Sequence, residues 1–84
     1  MPDAGPPVEE AVTVDNRGLL CGQGVLKLMR TLGPLAPGRL VRVLSTDLAA
    51  EDDYPAWCRN TGHTFLGHQR DGAVIVSHIR KRAS

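Results

Sequence analysis

The fold of this 84-residue chain depends on the segment DNRGLLCGQGVLKLMRTL, residues 15–32. The segment predicts the end of a strand, a short loop and an amphipathic helix from about Gly22 to Leu32. The apolar residues of that helix recur at the three-and-four spacing of one helical face: Val25, Leu28, Met29 and Leu32. Cys21 precedes Val25 by four residues, so the pattern places its Cα above the same face, in the first turn.

Cys21 occupies a position where helix electrostatics can activate a thiol. The first N–H groups of a helix have no intrahelical acceptor, and the helix dipole is positive at that end. Both effects lower a cysteine pKa from about 8.5 toward neutrality and favour the nucleophilic thiolate. The alternative is a small buried apolar residue behind Val25. Because no adjoining histidine or aspartate can act as a general base, the sequence favours sulfur or redox exchange over peptide hydrolysis.

Four neighbours of Cys21 are candidate supporting residues. The backbone N–H groups of Gly22, Gln23 and Gly24 are expected to cradle an anionic sulfur, and the Gln23 side chain adds a donor. Arg17 is expected to give electrostatic support as a nearby cation. The alternative for the two glycines is a loosely specified helix start.

Length and composition predict one small domain. The chain is 42% hydrophobic and 23% charged, and its net charge of +1 argues against direct nucleic-acid binding. It has no apolar run long enough for a bilayer and no export-signal pattern, so we expect no membrane association and a cytoplasmic protein with reduced thiols. Residues 1–9, with three prolines and two acids, predict a flexible tail, and residues 10–82 a single domain.

The remaining segments predict the element order βαβαββ. The predicted strands are 11–15, 39–45, 63–69 and 73–81, and the second predicted helix is 48–60. The strand–helix–strand crossover implies a parallel first pair, and Asp71-Gly72 predicts a hairpin. Gly33-Pro34 is expected to end the first helix, because glycine suits the left-handed stop and proline cannot continue a helix, and Gly62 is expected to end the second. The fold class is therefore an α/β two-layer sandwich, with a mixed four-stranded sheet and two helices on one face.

The second predicted helix leaves open where it begins and what role Cys58 has. Asp47 is a good N-cap for it, but Pro55 predicts either a kinked helix or a short turn followed by a helix from Asp53. Cys58, beside Trp57, is expected to be a core cysteine with a raised pKa. A redox switch through a Cys21–Cys58 disulfide is an alternative.

The histidines and the basic end give weaker signals. The two cysteines and three histidines have no recognised metal-ligand spacing, so no metal site is predicted. His63 is expected to make a structural hydrogen bond. Residues 80–84 are expected to be a solvated basic end. The alternative is a docking patch for an anionic partner, either a protein or RNA.

An ordered set of short motifs extends over residues 11–81. They are VDNRGLLC (14–21), VLKLMR (25–30), STD (45–47), YPAWC (54–58), TGH (61–63) and DG (71–72). In this order they resemble the TusA (SirA-like) family of small sulfur-carrier proteins. The resemblance implies a βαβαββ two-layer sandwich, in agreement with the element order above.

The resemblance implies a sulfurtransferase-like relay. Cys21 would accept sulfane sulfur as a persulfide from a sulfur-donor protein, a cysteine desulfurase or a rhodanese-like protein, and pass it to a downstream sulfur-acceptor protein. Routes fed in this way include tRNA thiolation, cofactor assembly and sulfur oxidation. No cofactor is expected, because persulfide exchange is a displacement at sulfur. Nothing in the sequence demands more than a monomer.

The chain departs from the family motif Cys-Pro-x-Pro, which here is Cys21-Gly22-Gln23-Gly24. Proline early in a helix pre-sets φ and loses only an N–H that was unpaired anyway. The two glycines therefore predict a less rigid turn with two further donors. One hypothesis is that the thiol stays activated but is less rigidly presented. The rival is a diverged, non-catalytic interaction or regulatory module of the same fold.

Overall fold

The computed structural model describes residues 11–83, with Cys21 described by its backbone alone; the tail predicted for residues 1–9 lies outside this range. The elements are β1 (Val12–Asn16), α1 (Cys21–Leu32), β2 (Leu40–Ser45), α2 (Ala50–Thr61), β3 (Thr64–Asp71) and β4 (Val74–Arg80). This is the predicted order βαβαββ, and each boundary lies within about two residues of the prediction.

The four strands form one mixed sheet in the order β1-β2-β4-β3. β1 runs parallel to β2, with Val14 opposite Val43, as the crossover predicted. β4 is antiparallel to both β2 and β3. The β3–β4 hairpin turns at Gly72, whose φ of +63° suits the first position of a two-residue loop. The hairpin prediction is confirmed, although Asp71 belongs to β3.

The core lies between one face of the sheet and the two helices. The buried apolar side chains from the strands are Val14, Val41, Val43, Ile75 and Ile79, and those from the helices are Leu28, Leu32, Ala50, Tyr54 and Cys58. Buried residues alternate with half-buried ones along β2 and β4, as expected of a sheet that is covered on one face. This confirms the two-layer sandwich.

The buried face of α1 differs from the predicted one at Met29. The Met29 side chain is 53% exposed, whereas the buried row is formed by Gly24, Leu28 and Leu32. These three residues follow at intervals of four and define one helical ridge. The buried face of α1 is thus rotated from Met29 toward Gly24, because the absence of a side chain at Gly24 lets the helix approach its neighbours closely at that point.

The two helices end differently from one another. Gly62 ends α2, as predicted, and its φ of +89° is the left-handed conformation. Gly33 has a φ of −47°, so the prediction of a left-handed stop there is wrong. Instead, Lys81 Nζ donates to the carbonyl oxygens of Leu32 and Gly33 at 2.7 and 3.0 Å. This cation thereby satisfies acceptors that the end of a helix leaves open.

The start of α2 follows neither sequence-based alternative completely. The prediction that Asp47 is the N-cap is wrong, because the N-cap is Ala49; Asp47 Oδ1 accepts the N–H of Ala49 at 3.0 Å in a turn that precedes the helix. The helix then begins at Ala50, earlier than Asp53, and includes Pro55. Proline has no N–H, so the i→i−4 hydrogen bond at this position is missing.

Candidate functional site

Cys21 is the first residue of α1, at the edge of the sheet where β1 and β2 end. The loop from β1 turns at Gly18, whose φ is +83°. The Gly18 N–H donates to Thr46 Oγ1 at 2.9 Å, so this loop is tied to the one that follows β2. The carboxyl ends of parallel strands meet at one edge of a sheet, which is a common position for functional residues.

The first turn of α1 has no side-chain cap on its amides. The N-cap residue is Leu20, which provides no side-chain hydrogen bond. Gln23 Oε1 accepts the N–H of Leu20 at 3.1 Å. The Gly24 N–H donates to the Leu20 carbonyl at 2.9 Å and makes the first intrahelical bond. Gly24 therefore does not offer the free donor expected of it, whereas helix geometry leaves the amides of residues 21–23 without intrahelical acceptors.

The N-termini of the two helices differ in charge. The first turn of α1 contains no acidic residue. That of α2 contains Glu51, Asp52 and Asp53, which neutralise the positive end of its dipole. The start of α1 retains this partial positive charge and so favours an anion.

Arg17 is paired with Asp15. Its Nε and Nη2 atoms donate to the two Asp15 carboxylate oxygens, each at 2.8 Å. These hydrogen bonds hold the pKa of Asp15 well below its usual value. The pairing offsets the charge that was expected to support Cys21. A cation that the sequence did not point to, Lys27, donates from α1 to the Asp15 carbonyl at 2.7 Å and ties the helix to β1.

A buried polar cluster of Asn16, Ser45 and Tyr54 contacts the first turn of α1. These residues are 1%, 2% and 1% exposed. Asn16 Nδ2 donates to the Gly24 carbonyl at 3.2 Å and to Tyr54 Oη at 3.0 Å, and Ser45 Oγ donates to Tyr54 Oη at 3.1 Å. Sequence reasoning missed this cluster. The signal was the alternation along each strand, which makes Asn16 and Ser45 the next inward positions.

The second cysteine has the environment of a core residue. Cys58 is 1% exposed and carries a free thiol. Burial raises the pKa of this thiol to about 11. The structural interpretation of Cys58 is thus confirmed, and Cys58 forms no disulfide in this structure.

His63 has the structural hydrogen bond that was expected of it. Its Nδ1 accepts the N–H of Arg82 at 3.1 Å, and its ring lies 5.1 Å from the Trp57 ring. Arg82 Nη1 also donates to the carbonyl of Thr61 at 2.8 Å. The basic end therefore binds the end of α2 in this structure.

The described residues contain neither a cluster of metal ligands nor a membrane-spanning helix. Between residues 11 and 83, side chains of Cys21 excepted, no three His, Cys, Asp or Glu residues cluster as metal ligands would. The helices of the same range are all too short or too polar to cross a bilayer.

Comparison with known proteins points to one family. The family model described as sulfurtransferase TusA matches residues 12–81. The chain is 35% identical over 71 residues to the sulfur carrier protein TusA of Pseudomonas entomophila, which covers 84% of the chain and 89% of that protein. It is 36% identical over 70 residues to the TusA of Pseudomonas putida, which covers 83% and 88% of the two chains.

A further relative is longer. The chain is 27% identical over 74 residues to the putative sulfur carrier protein YrkF of Bacillus subtilis; the match covers 88% of this chain but 40% of YrkF. The family-model match over most of the chain and the two TusA relatives agree with the fold described above. The chain belongs to the TusA family of sulfur carrier proteins.

Proposed function

We propose that this protein carries sulfane sulfur as a persulfide on Cys21 and passes it to a partner protein. The observation that best supports the proposal is the start of α1. The helix begins at Cys21, its N-cap Leu20 provides no side-chain acceptor, and its first turn has no acid. An anion formed on Cys21 would meet an uncompensated positive helix end.

The chemistry is two displacements at sulfur with no net oxidation. The Cys21 thiolate attacks the terminal sulfur of a donor persulfide. A new S–S bond forms on Cys21, the S–S bond of the donor breaks, and the donor leaves as its thiolate. An acceptor thiolate then attacks the terminal sulfur on Cys21, takes it up as a new persulfide and releases the Cys21 thiolate.

The backbone of the first turn provides the donors for the anionic states. The amides of Gly22 and Gln23 precede the first intrahelical bond, which is made by Gly24, and so remain available to an anionic sulfur. Arg17 contributes less than a lone cation would, because its guanidinium is paired with Asp15 at 2.8 Å. Lys27 Nζ donates to the backbone carbonyl of Asp15 at 2.7 Å, so two cations, Arg17 and Lys27, lie near the single carboxylate of Asp15.

The proposed partners are a cysteine desulfurase or rhodanese-like donor and a downstream acceptor protein. Leu20 and Leu48 are 69% and 63% exposed, and they lie in the two loops joined by the Gly18–Thr46 hydrogen bond. They offer a docking protein apolar surface at the same edge of the sheet as Cys21. The proposed compartment is the cytoplasm, where thiols stay reduced. The identity of the acceptor protein would determine which pathway receives the sulfur: tRNA thiolation, cofactor assembly or sulfur oxidation.

Intact mass spectrometry tests the proposal. After incubation with a cysteine desulfurase and L-cysteine, the folded protein is expected to gain the mass of one sulfur atom. Cys21→Ser should abolish the gain, because it removes the attacking thiolate.

Cys58→Ala is the matched control and should keep the gain, since the Cys58 thiol is buried and its pKa is raised. A folded protein that takes up no sulfur from either a desulfurase or a rhodanese persulfide contradicts the proposal and favours the non-catalytic interaction module.

A further inference from the structure

We infer that Asn16, acting with Tyr54, is a positioning residue that fixes the first turn of α1, and with it the backbone of Cys21, for the sulfur transfer proposed above. The inference rests on that proposed function. It assigns a task to buried polar groups that the reaction itself does not use.

The first observation is how closely α1 approaches the cluster. A Cβ atom added to Gly24 would lie 2.6 Å from Tyr54 Oη and 2.8 Å from Asn16 Nδ2. Real Cβ atoms do not come so near to other heavy atoms. The helix therefore rests on the two polar side chains at a distance that only glycine permits.

The second observation is the way the cluster is bonded. Asn16 Nδ2 donates to the backbone carbonyl of Gly24 as well as to Tyr54 Oη. Asn16 Oδ1 is buried and has no hydrogen-bond partner among the described residues. The amide oxygen of Asn16 is therefore buried without a hydrogen bond, while its NH2 group is bonded to α1. Leaving a buried acceptor unpaired costs free energy, so a buried group of this kind calls for an explanation.

The third observation is where the cluster lies in the fold. Asn16 ends β1, Ser45 ends β2 and Tyr54 belongs to α2, so three elements are joined to α1 at one point. Gly24 follows Cys21 by three residues, about one helical turn. Apart from these contacts, little restrains the first turn of α1, because it contains the flexible residue Gly22 and its N-cap makes no side-chain hydrogen bond.

The cluster also explains why this chain can have Gly24 at the position of the second proline of the family motif. Proline restricts φ and stiffens a turn from within. Here the restraint comes from outside the turn, from Asn16 and Tyr54 pressed against Gly24. The first turn is then held in place without a stiff backbone of its own.

Two variants test the inference in the full chain. Asn16→Ala removes the contact to the Gly24 carbonyl, and the milder Tyr54→Phe removes only the hydroxyl that Asn16 and Ser45 both contact. The matched control is Leu32→Val, which alters a fully buried residue at the other end of α1. Three readouts are needed: the urea midpoint, the pH profile of Cys21 alkylation by iodoacetamide, and the rate of sulfur uptake from a desulfurase.

All three variants are expected to lower the urea midpoint. Only Asn16→Ala and Tyr54→Phe should also move the alkylation profile to higher pH and slow alkylation at pH 7, by about threefold to tenfold, as the thiol loses its helix environment and its pKa returns toward about 8.5. Sulfur uptake should slow with it. If both variants keep the alkylation profile and uptake rate of the wild type while losing stability as Leu32→Val does, the cluster is structural only and the inference is overturned.

The alkylation profile does not depend on sulfur transfer. A wild-type protein that accepts no sulfur overturns the proposed function, yet its alkylation profile still shows whether Asn16 and Tyr54 position Cys21. Conversely, normal uptake with unshifted profiles in both variants overturns the inference and leaves the carrier function intact.

Discussion

At the scale of single residues, two glycines that look equivalent in the sequence have different physical roles. A Cβ on Gly22 would meet nothing within 4 Å, whereas one on Gly24 would collide with Tyr54 and Asn16. Proline at position 24 would also lose the hydrogen bond from the Gly24 N–H to the Leu20 carbonyl. The second motif proline is therefore incompatible with this backbone, while the first position is open.

The contrast between the glycines predicts opposite effects of alanine. Gly22→Ala should raise the free energy of unfolding by about 0.4–1 kcal/mol, because alanine restricts the unfolded chain and fits the helix. Gly24→Ala should lower it by about 1–3 kcal/mol, because the added methyl forces the helix away from the polar cluster. Urea denaturation of the two variants measures both values. Equal shifts of the same sign would contradict the assigned packing.

Hydrophobic periodicity predicted the buried residues around the first turn of α1 only in part. Hydrophobic periodicity identified Leu28 and Leu32 correctly, but it counted Met29, whose side chain is 53% exposed. It passed over Gly24 because a glycine gives no hydrophobic signal. The first predicted strand ended at residue 15 and so left out Asn16, which belongs to β1 and is 1% exposed.

At the scale of elements, the chain after β4 completes the ends of both helices. Lys81 donates to the last carbonyls of α1, and Arg82 donates to Thr61 at the end of α2. Cations are favourable there because the helix dipole is negative at its C-terminus. Local signals ended α2 correctly at Gly62. They also placed the end of α1 at Leu32 correctly, but they could not indicate that a lysine 49 positions later would donate to its last carbonyls.

The capping role of Lys81 predicts a loss of stability when its charge is removed. Lys81→Met keeps the aliphatic stem and deletes the donor, so two carbonyl oxygens lose a charged partner. The free energy of unfolding should fall by about 1–2 kcal/mol. The neighbouring exposed Arg80 provides the control: Arg80→Met changes the charge equally and should stay within about 0.5 kcal/mol of the wild type. Comparable losses in both, measured by urea denaturation, would show that general charge is responsible and that the cap is not.

At the scale of the whole molecule, the order of the elements was predictable, whereas the hydrogen bonds among the buried polar residues were not. Alternating β-branched residues, the Asp71-Gly72 turn and the crossover length fix strands, hairpin and parallel pair before any tertiary contact is known. The cluster of Asn16, Ser45 and Tyr54 joins residues up to 38 positions apart, and no local pattern reports such a distance. The burial of Cys58 was predictable because it follows the helical period of Tyr54.

The buried Cys58 thiol makes the stability of the whole molecule depend on pH. Burial raises the pKa of this thiol from 9.0 to about 11 in the folded state, so the unfolded chain loses the proton first. The contribution is fully present below about pH 9 and decreases as the pH rises toward 11, by about 1.4 kcal/mol per unit. Urea midpoints from pH 8 to pH 10.5 should fall more steeply for the wild type than for Cys58→Ala. Parallel curves for the two proteins would show that another group is responsible.

The strand order has a consequence for the closure of the sheet. β3 and β4 are joined by Gly72 and Ala73, whereas residues 17–39 separate β1 from β2, its neighbour in the sheet. Loop-closure entropy grows with the logarithm of loop length, so the parallel pair costs about 2 kcal/mol more to bring together than the hairpin. The strand pair that leads to Cys21 is therefore closed at a larger entropic cost than the hairpin, and the packing of α1 on the sheet must offset the difference.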